Sequence, residues 1–167
     1  MGAKSFTVSS TQLKPDAIYN SLLISKFINC LMYDGKKATA KRVFYGAMDI
    51  IGQRVKDAKP NEVFEAALNN IKPNIETRSR RVGGQNYQVP MSVSRKRQQS
   101  LAIRWLLEAV RAKSGKPMSE RLADEVLAAS RREGTAMQTR ENVHKMAEAN
   151  RKIRAWLWLF CHHTSGS

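Results

Sequence analysis

Six basic side chains and no acidic one lie in the segment from Thr77 to Arg97, which also holds a tyrosine and several amides. Each arginine offers a positive charge, five hydrogen-bond donors and a planar face that can stack. Tyr87 adds a second planar surface, and the side chains of Gln85 and Asn86 can donate and accept hydrogen bonds. Phosphates, riboses and unpaired bases are bound by such groups, so the segment predicts contact with nucleic acid.

The whole chain shares this excess of positive charge. Its 167 residues include 29 Lys and Arg against 14 Asp and Glu, a formal net charge of +15. That charge exceeds what solubility requires, and its self-repulsion costs stability, so we expect a polyanionic partner. Nucleic acid is the first candidate and an anionic membrane is the second. A further basic cluster predicts additional phosphate contacts: Lys36, Lys37, Lys41 and Arg42.

Residue patterns typical of enzymes, metal sites and phosphate loops fail in this chain. Gly35-Lys36 resembles the end of a phosphate loop, but Lys37 replaces the required Ser or Thr and Cys30 replaces the first Gly. The adjacent residues Cys161, His162 and His163 cannot easily ligate one ion. We therefore expect a protein without catalytic residues, metal or cofactor.

Apolar residues recur every three or four positions over most of the chain, a spacing that predicts about six helices in one bundle-like domain. The first pattern runs from Asp16 to a stop at Asp34-Gly35 and includes Cys30, which we expect to be a buried thiol. Helical spacing returns at Leu101 after the basic segment, and Gly134 is expected to close the fifth helix. The N-cap candidates of later helices are Thr39, Ser119 and Thr139.

Between residues 75 and 93 the spacing changes to that of strands. The runs Ile75–Val82 and Gln85–Val93 flank Gly83-Gly84, which predicts a β-hairpin with a two-residue turn. In that register Arg80 faces Tyr87. Neither face is apolar throughout, so we expect a basic hairpin that protrudes from the helical body and is mobile without a partner.

The chain is therefore predicted to be mainly α, with one helical domain at residues 15–156 that includes the hairpin 75–93. A flexible lead occupies residues 1–14 and a tail occupies residues 157–167. Met1–Leu13 lacks the apolar core of a secretory signal, and Trp156–Cys161 is far too short to cross a bilayer. These features predict a cytoplasmic protein.

Several motifs, in order and at matching spacing, resemble the bacterial-type family of the seventh small-subunit ribosomal protein. The first comprises Ser21-x-Leu23, Phe27-Ile28, Gly35-Lys36-Lys37, Val43-Phe44 and Ala47. Three later runs are similar to the family's hairpin and helices: SRRVGGQNYQVP (Ser79–Pro90), LAIRWLLEAVR (Leu101–Arg111) and GTAMQTRENVHKMAEAN (Gly134–Asn150). The resemblance covers residues 14–156 and implies six helices with a long β-hairpin.

The same resemblance implies a structural constituent of the small ribosomal subunit that binds rRNA directly and nucleates assembly of the head domain. It implies eight rRNA-facing residues: Lys36, Lys37, Lys41, Arg42, Arg78, Arg95, Lys96 and Arg97. It also implies a hairpin tip near the exit-site tRNA and the mRNA path, at Arg80, Arg81, Gly83, Gly84, Gln85, Asn86 and Tyr87. Other head and platform proteins are the implied neighbours, and neither a membrane nor a homo-oligomer is expected.

Three alternatives stay open at this point. A DNA-architectural protein could use the hairpin as a minor-groove arm, which Pro90 and the glycines would suit. An RNA-modifying enzyme would turn over the RNA that it binds. The ribosome of an organelle is the alternative to the cytoplasmic one.

Overall fold

The computed structural model describes residues 13–82 and 84–151, in which six helices pack together and two strands form one hairpin. The helices are α1 (Leu22–Leu31), α2 (Lys37–Arg54), α3 (Pro60–Ile71), α4 (Arg95–Ala112), α5 (Met118–Ser130) and α6 (Thr135–Ala149). The strands β1 (Ile75–Val82) and β2 (Gln85–Ser92) lie between α3 and α4. The predicted fold class, mainly helical with a hairpin, is confirmed. Most of the predicted lead 1–14 and all of the tail 157–167 lie outside the described residues.

The core is built from the apolar faces of the helices around three phenylalanines. Phe27 of α1, Phe44 of α2 and Phe64 of α3 have ring centroids 5.0–5.6 Å apart, in tilted or edge-to-face arrangements. Each of the three side chains is at most 1% exposed. Aromatic pairs of this geometry contribute about 0.5–1.5 kcal/mol beyond the burial of their area. The cluster therefore joins the first three helices into one body that carries the rest.

The first helix starts at Leu22 instead of Asp16 because Asp16 belongs to a separate turn. Its carboxylate accepts hydrogen bonds from the backbone N–H groups of Ile18 and Tyr19 at 3.3 and 3.4 Å, and from the hydroxyl of Tyr45 at 2.7 Å. Burial would raise the pKa of Asp16, but these hydrogen bonds, that of Tyr45 foremost, lower it below its ordinary value. The turn is thus held by an ionised carboxylate.

The predicted N-caps Thr39, Ser119 and Thr139 are wrong, since α2, α5 and α6 begin at Lys37, Met118 and Thr135. At each of these three starts, the side chain of the residue at the N-cap position forms no cap hydrogen bond among the described residues. The hydroxyl of Thr139 instead donates to the carbonyl of Thr135 at 3.1 Å, inside the helix. A Ser or Thr hydroxyl can donate to a carbonyl inside a helix or accept from a backbone N–H at its N-cap, so the residue type alone does not locate the start.

Two further boundaries differ from the prediction. Helix α4 begins at Arg95, well before Leu101. Its first turn is polar and exposed, so apolar spacing does not mark this start. Gly134 does not close α5, which ends at Ser130; it precedes α6 with φ of +97°. The first error arises because apolar spacing reports only the buried part of a helix. The second arises because glycine is favoured at the start of a helix as well as after its end.

The predicted burial of Cys30 is wrong, since this residue is exposed although it lies within α1. The buried positions of α1 include Phe27, Ile28 and Leu31. Successive residues of a helix are rotated by about 100°, and this rotation carries Cys30 off the stripe that ends at Leu31. The apolar neighbours of Cys30 in the sequence therefore do not cover it.

The hairpin has the predicted register, with Arg80 opposite Tyr87 in an antiparallel pair of strands. Gly83, the first turn residue, lies outside the described residues, while Gly84 adopts the left-handed φ of +87° that a tight turn requires. The second strand ends at Ser92, one residue before the predicted end. Even so, the N–H of Val93 donates to the carbonyl of Asn74 at 3.1 Å and extends the pairing.

Helix α6 supports the base of the hairpin. The backbone N–H of Asn74 donates to Nε2 of His144 at 3.3 Å, and the hydroxyl of Thr77 lies 3.6 Å from the sulfur of Met146. Burial and the nearby charge of Arg140 lower the pKa of His144, which keeps Nε2 available as an acceptor. The hairpin thus has a fixed base, and only its distal part projects.

Candidate nucleic-acid interface

A buried carboxylate holds two of the predicted phosphate-binding arginines at the base of the hairpin. The side chain of Glu76 in β1 is only 10% exposed. Its Oε1 accepts a hydrogen bond from Nε of Arg78 at 2.8 Å, and its Oε2 accepts one from Nε of Arg97 at 3.2 Å. The arginine side chains themselves remain 60% and 44% exposed. Glu76 therefore orients both guanidinium groups without removing them from the surface.

Glu76 also links two elements, because Arg78 belongs to β1 and Arg97 to the first turn of α4. Burial would raise the pKa of Glu76, but hydrogen bonds from Arg78 and Arg97 lower it, so the carboxylate is charged at neutral pH. Glu76 was not among the predicted site residues. One signal pointed to it, since residues two apart in a strand share a face and Glu76 precedes Arg78 by two.

Four of the predicted residues meet at this junction between β1 and α4, and we refer to them as the junction cluster: Arg78, Arg95, Lys96 and Arg97. Arg95 and Lys96 are exposed at the start of α4, whose first turn carries no acidic residue. The start of a helix is the positive end of its dipole, so cations there repel it. A bound anion would relieve that repulsion and accept hydrogen bonds from the first backbone N–H groups.

The other four residues form the loop cluster: Lys36, Lys37, Lys41 and Arg42. Lys36 and Lys37 occupy the N-cap and first position of α2, where again no acid lies in the first turn. Lys37 and Lys41 line a cavity of about 300 Å³ together with Lys14. By contrast, α3 and α5 carry the acids Glu62 and Glu120 in their first turns, as the dipole favours. Of the six described helices, α2 and α4 are the two that begin with cations and have no acid in the first turn, and both lie at the predicted interface.

The predicted tip residues lie on the distal part of the hairpin. Arg81 pairs with Asn86 in the ladder, and the exposed side chains are Arg80, Arg81, Gln85 and Asn86. The hydroxyl of Tyr87 donates to Oε1 of Gln85 at 2.9 Å. Two residues apart on one strand, these two side chains share a face. The strands thus present positive charge, amides and a half-buried ring close to the turn.

The structure does not merge the basic groups into one continuous network. Among the side chains that it describes, no hydrogen bond or ion pair joins the junction cluster to the loop cluster. Each cluster sits at the start of a different helix, so a polyanion would have to reach both. Two separate basic clusters, each at the start of a helix, suit an extended ligand better than a small one.

Residues 13–82 and 84–151 contain neither a group of side chains that could bind a metal ion nor a helix that could span a membrane. No group of three or more His, Cys, Asp or Glu in this part of the chain could hold a metal ion. Nor does this part contain a helix that could cross a membrane.

Comparison with known proteins gives matches that span the hairpin and both clusters. The family described as ribosomal protein S7p/S5e matches residues 3–151. The small ribosomal subunit protein uS7 of Rhodopirellula baltica is 60% identical over 153 residues, which are 91% of this chain and 98% of that protein. Proteins of the same name are 50% identical over 147 residues in Thermotoga neapolitana and 50% identical over 151 residues in Magnetococcus marinus. Those alignments cover 88% and 90% of this chain, and 94% and 96% of the relatives.

Proposed function

The chain belongs to the ribosomal protein S7p/S5e family, and from that premise we propose that it is a non-catalytic structural component of the small ribosomal subunit. In this proposal it binds rRNA directly, nucleates assembly of the head domain and works in the ribosome of the cytoplasm. The observation that carries the proposal is that α2 and α4 begin with clustered cations and no acid. Cations at the start of a helix destabilise the free protein, and a bound phosphate would offset that cost.

The proposed rRNA-binding residues are the loop cluster and the junction cluster. Lysines of the loop cluster would meet phosphates as mobile point charges, whereas Arg78 and Arg97 are held by Glu76 and would present fixed donors. Double-stranded RNA is recognised largely through its shape and its backbone, which matches a site made of cations and helix starts. Other head and platform proteins are the proposed neighbours.

The proposed role of the hairpin tip is different. Its residues project from the supported base, so they can lie near the exit-site tRNA and the mRNA path without taking part in the main rRNA contact. The residues concerned are Arg80, Arg81, Gly84, Gln85, Asn86 and Tyr87, together with Gly83, which lies outside the described residues. Neither a membrane nor a second copy of the chain is part of the proposal.

The first test is binding to a fragment of head-domain rRNA across a range of salt concentrations. The logarithm of the binding constant should fall linearly with the logarithm of salt, because each phosphate contact releases counterions. Replacing Arg95 and Lys96 with Ala should reduce that slope by about one for each phosphate that the protein no longer binds. Lys56→Ala, an exposed cation outside both clusters, is the control and should leave the slope almost unchanged.

A flat response to salt, or no preference over random RNA of equal length, would contradict the proposal. Tighter binding to duplex DNA than to the rRNA fragment would favour the architectural alternative. Appearance of a modified or cleaved RNA product would favour an enzyme instead.

The second test separates the tip from the base. Ser79 pairs with Gln88, so replacing Arg80–Tyr87 with Asn-Gly should close the shortened hairpin through a two-residue turn. We expect this variant to bind the rRNA fragment within about twofold of the original and to lose crosslinks to tRNA or mRNA in reconstituted subunits. Replacing all four residues of the junction cluster with Ala should instead weaken binding to the rRNA fragment and preserve the crosslinks to tRNA or mRNA. Equal loss of rRNA affinity in both variants would show that the division is wrong.

A further inference from the structure

A cavity of about 320 Å³ lies where the loop after α1 meets the first turn of α2 and the facing ends of α4 and α5. Its volume is at the lower end of the range for small-molecule sites, about 300–1,000 Å³. Leu31, Val43 and Met118 contribute apolar walls. Among the described residues that line it, none is acidic and three are cations: Lys36, Arg111 and Arg121. A pocket with apolar walls, whose described charged residues are all cations, suits a ligand that is apolar in one part and anionic in another.

A stacked pair of planar groups stands at this cavity. The guanidinium carbon of Arg111 lies 4.2 Å from the centroid of the Tyr33 ring, and Tyr33 is 62% exposed. Nη2 of Arg111 also donates to the carbonyl of Leu31 at 3.3 Å, which fixes the plane of the guanidinium. Both residues line the cavity. An exposed aromatic ring held against a fixed guanidinium offers a platform to a further flat ligand.

The third cation, Arg121, is fixed by the end of α4. Its Nη1 donates to the carbonyl of Val110 at 3.4 Å and also to the carbonyl of Lys113. Arg121 therefore contributes a stationary positive charge to the cavity. Lys36, by contrast, is exposed at the N-cap of α2 and can move towards an anion.

From these contacts we infer that the cavity binds one unpaired nucleobase together with its phosphate. The base would stack on the Tyr33–Arg111 pair and cover the apolar wall, and the phosphate would lie towards Lys36 and the start of α2. The inference rests on the proposed function, since it names a part of the RNA that the protein would hold. A flat ligand is favoured over an apolar peptide side chain because the exposed part of the site is itself planar.

Two methionines make the inference testable on the full chain. Met32 and Met118 line the cavity, whereas Met91 lies on the hairpin and serves as an internal control. With ¹³C-labelled methionine methyl groups, adenosine 5′-monophosphate should shift the Met32 and Met118 signals saturably and leave that of Met91 in place. Ribose 5-phosphate should bind at least about fivefold more weakly, because stacking of a base on an aromatic plane contributes that factor or more.

Two variants test the stacked pair. Arg111→Lys keeps the charge and removes the planar group, and Tyr33→Leu keeps an apolar side chain and removes the ring. Each should reduce the preference for the nucleotide over ribose 5-phosphate by at least about threefold, with the Met91 signal reporting an unchanged fold. Lys26→Ala, which lines the neighbouring cavity on the other side of Arg111, is the matched control and should leave that preference unchanged.

Three outcomes would overturn the inference. The first is that the nucleotide produces no saturable shift, and the second is that ribose 5-phosphate binds equally well. The third is that an acidic peptide with a central phenylalanine binds more tightly than the nucleotide, which would assign the cavity to a protein partner. None of these results affects the salt dependence of binding to the rRNA fragment, so the proposed function is tested independently of this inference.

Discussion

Nε of Arg97 lies 3.2 Å from Oε2 of Glu76, and this ion pair ties the first turn of α4 to the first strand of the hairpin. The two residues are 21 positions apart in the chain. Because the same carboxylate also accepts a hydrogen bond from Arg78, one buried acid sets the position of two exposed cations. An acid inside a basic surface thus organises the surrounding positive charge as well as reducing it.

The first prediction separates these two effects of Glu76. Glu76→Gln removes a negative charge from a basic surface, which by charge alone would tighten binding to RNA. We expect the opposite, a dissociation constant for the rRNA fragment raised several-fold, because Arg78 and Arg97 lose the anion that orients them. Asp57→Asn removes an exposed acid from the loop before α3 and is the matched control. Tighter binding by Glu76→Gln would show that the arginines act only as unfixed charges.

The second prediction concerns the effect of acid on the hairpin anchor. The pKa of Glu76 in the folded protein lies below its ordinary value of 4.5. Its stabilising effect is therefore fully present above pH 4.5 and is lost as pH falls through the lowered pKa. Unfolding free energies measured from pH 7 to pH 3 should show a constant difference between the original protein and Glu76→Gln above pH 4.5. That difference should shrink below it, and a difference independent of pH would contradict this assignment.

The third prediction concerns Tyr45, whose hydroxyl donates to Oδ1 of Asp16 at 2.7 Å. Burial and this hydrogen bond raise the pKa of Tyr45 to about 12. Because the folded pKa exceeds the ordinary value of 10.0, the stabilisation is present below pH 10 and is lost as pH rises through about 12. Tyr45→Phe should lower the unfolding free energy by about 0.5–1.5 kcal/mol at neutral pH. In ultraviolet titrations, the two proteins should differ by one phenolate that forms only near pH 12.

The turn before α6 depends on close contact between a glycine and a buried acid. Glu125 is fully buried, forms an ion pair with Lys113 and accepts a hydrogen bond from the N–H of Ala136 at 2.9 Å. Gly134 has φ of +97°, and a Cβ there would lie 2.9 Å from Oε1 of Glu125 and 3.1 Å from Cβ of Ala128. The acid therefore caps α6 only because residue 134 lacks a side chain.

The fourth prediction follows from that contact. Gly134→Ala should destabilise the protein for two reasons: φ of +97° with ψ of 171° is a conformation that essentially only glycine adopts, and the added Cβ would meet Glu125. Gly115→Ala supplies the matched control, because Gly115 has φ of +86° and a Cβ added to it would meet nothing within 4 Å. In denaturant unfolding of both variants, Gly134→Ala should lose clearly more stability than Gly115→Ala. Equal losses of stability would mean that Glu125 moves aside at no cost.

The fifth prediction is that stability and RNA affinity oppose each other at the start of α4. Lys96→Gln keeps a similar helix propensity and removes one cation from the positive end of the dipole. The free protein should gain about 0.3–1 kcal/mol of unfolding free energy while binding to the rRNA fragment weakens. Glu62→Gln in the first turn of α3 should instead lower stability and leave binding unchanged. A loss of stability in Lys96→Gln would show that Lys96 makes a favourable contact in the free protein.

Short-range features were predictable from the chain alone. The pairing of Arg80 with Tyr87 follows from the position of two glycines, because a two-residue turn leaves only one register. The helical identity of most segments follows from apolar spacing, and the ordered motifs identified the family before any contact was known. Each of these depends on residues close together in the sequence or on a pattern repeated along it.

Contacts between distant residues were decided by the tertiary structure. Whether Arg97 meets Glu76 and whether Arg111 stacks on Tyr33 depends on how the helices and the hairpin pack, which local spacing does not report. The polar start of α4 was not predicted because apolar spacing marks only the buried face of a helix. The sequence by itself thus determined the elements, the hairpin register and the excess of positive charge. Packing decided which cations are held in place, because ion pairs and stacked pairs form only where the folded chain brings their partners within a few ångströms.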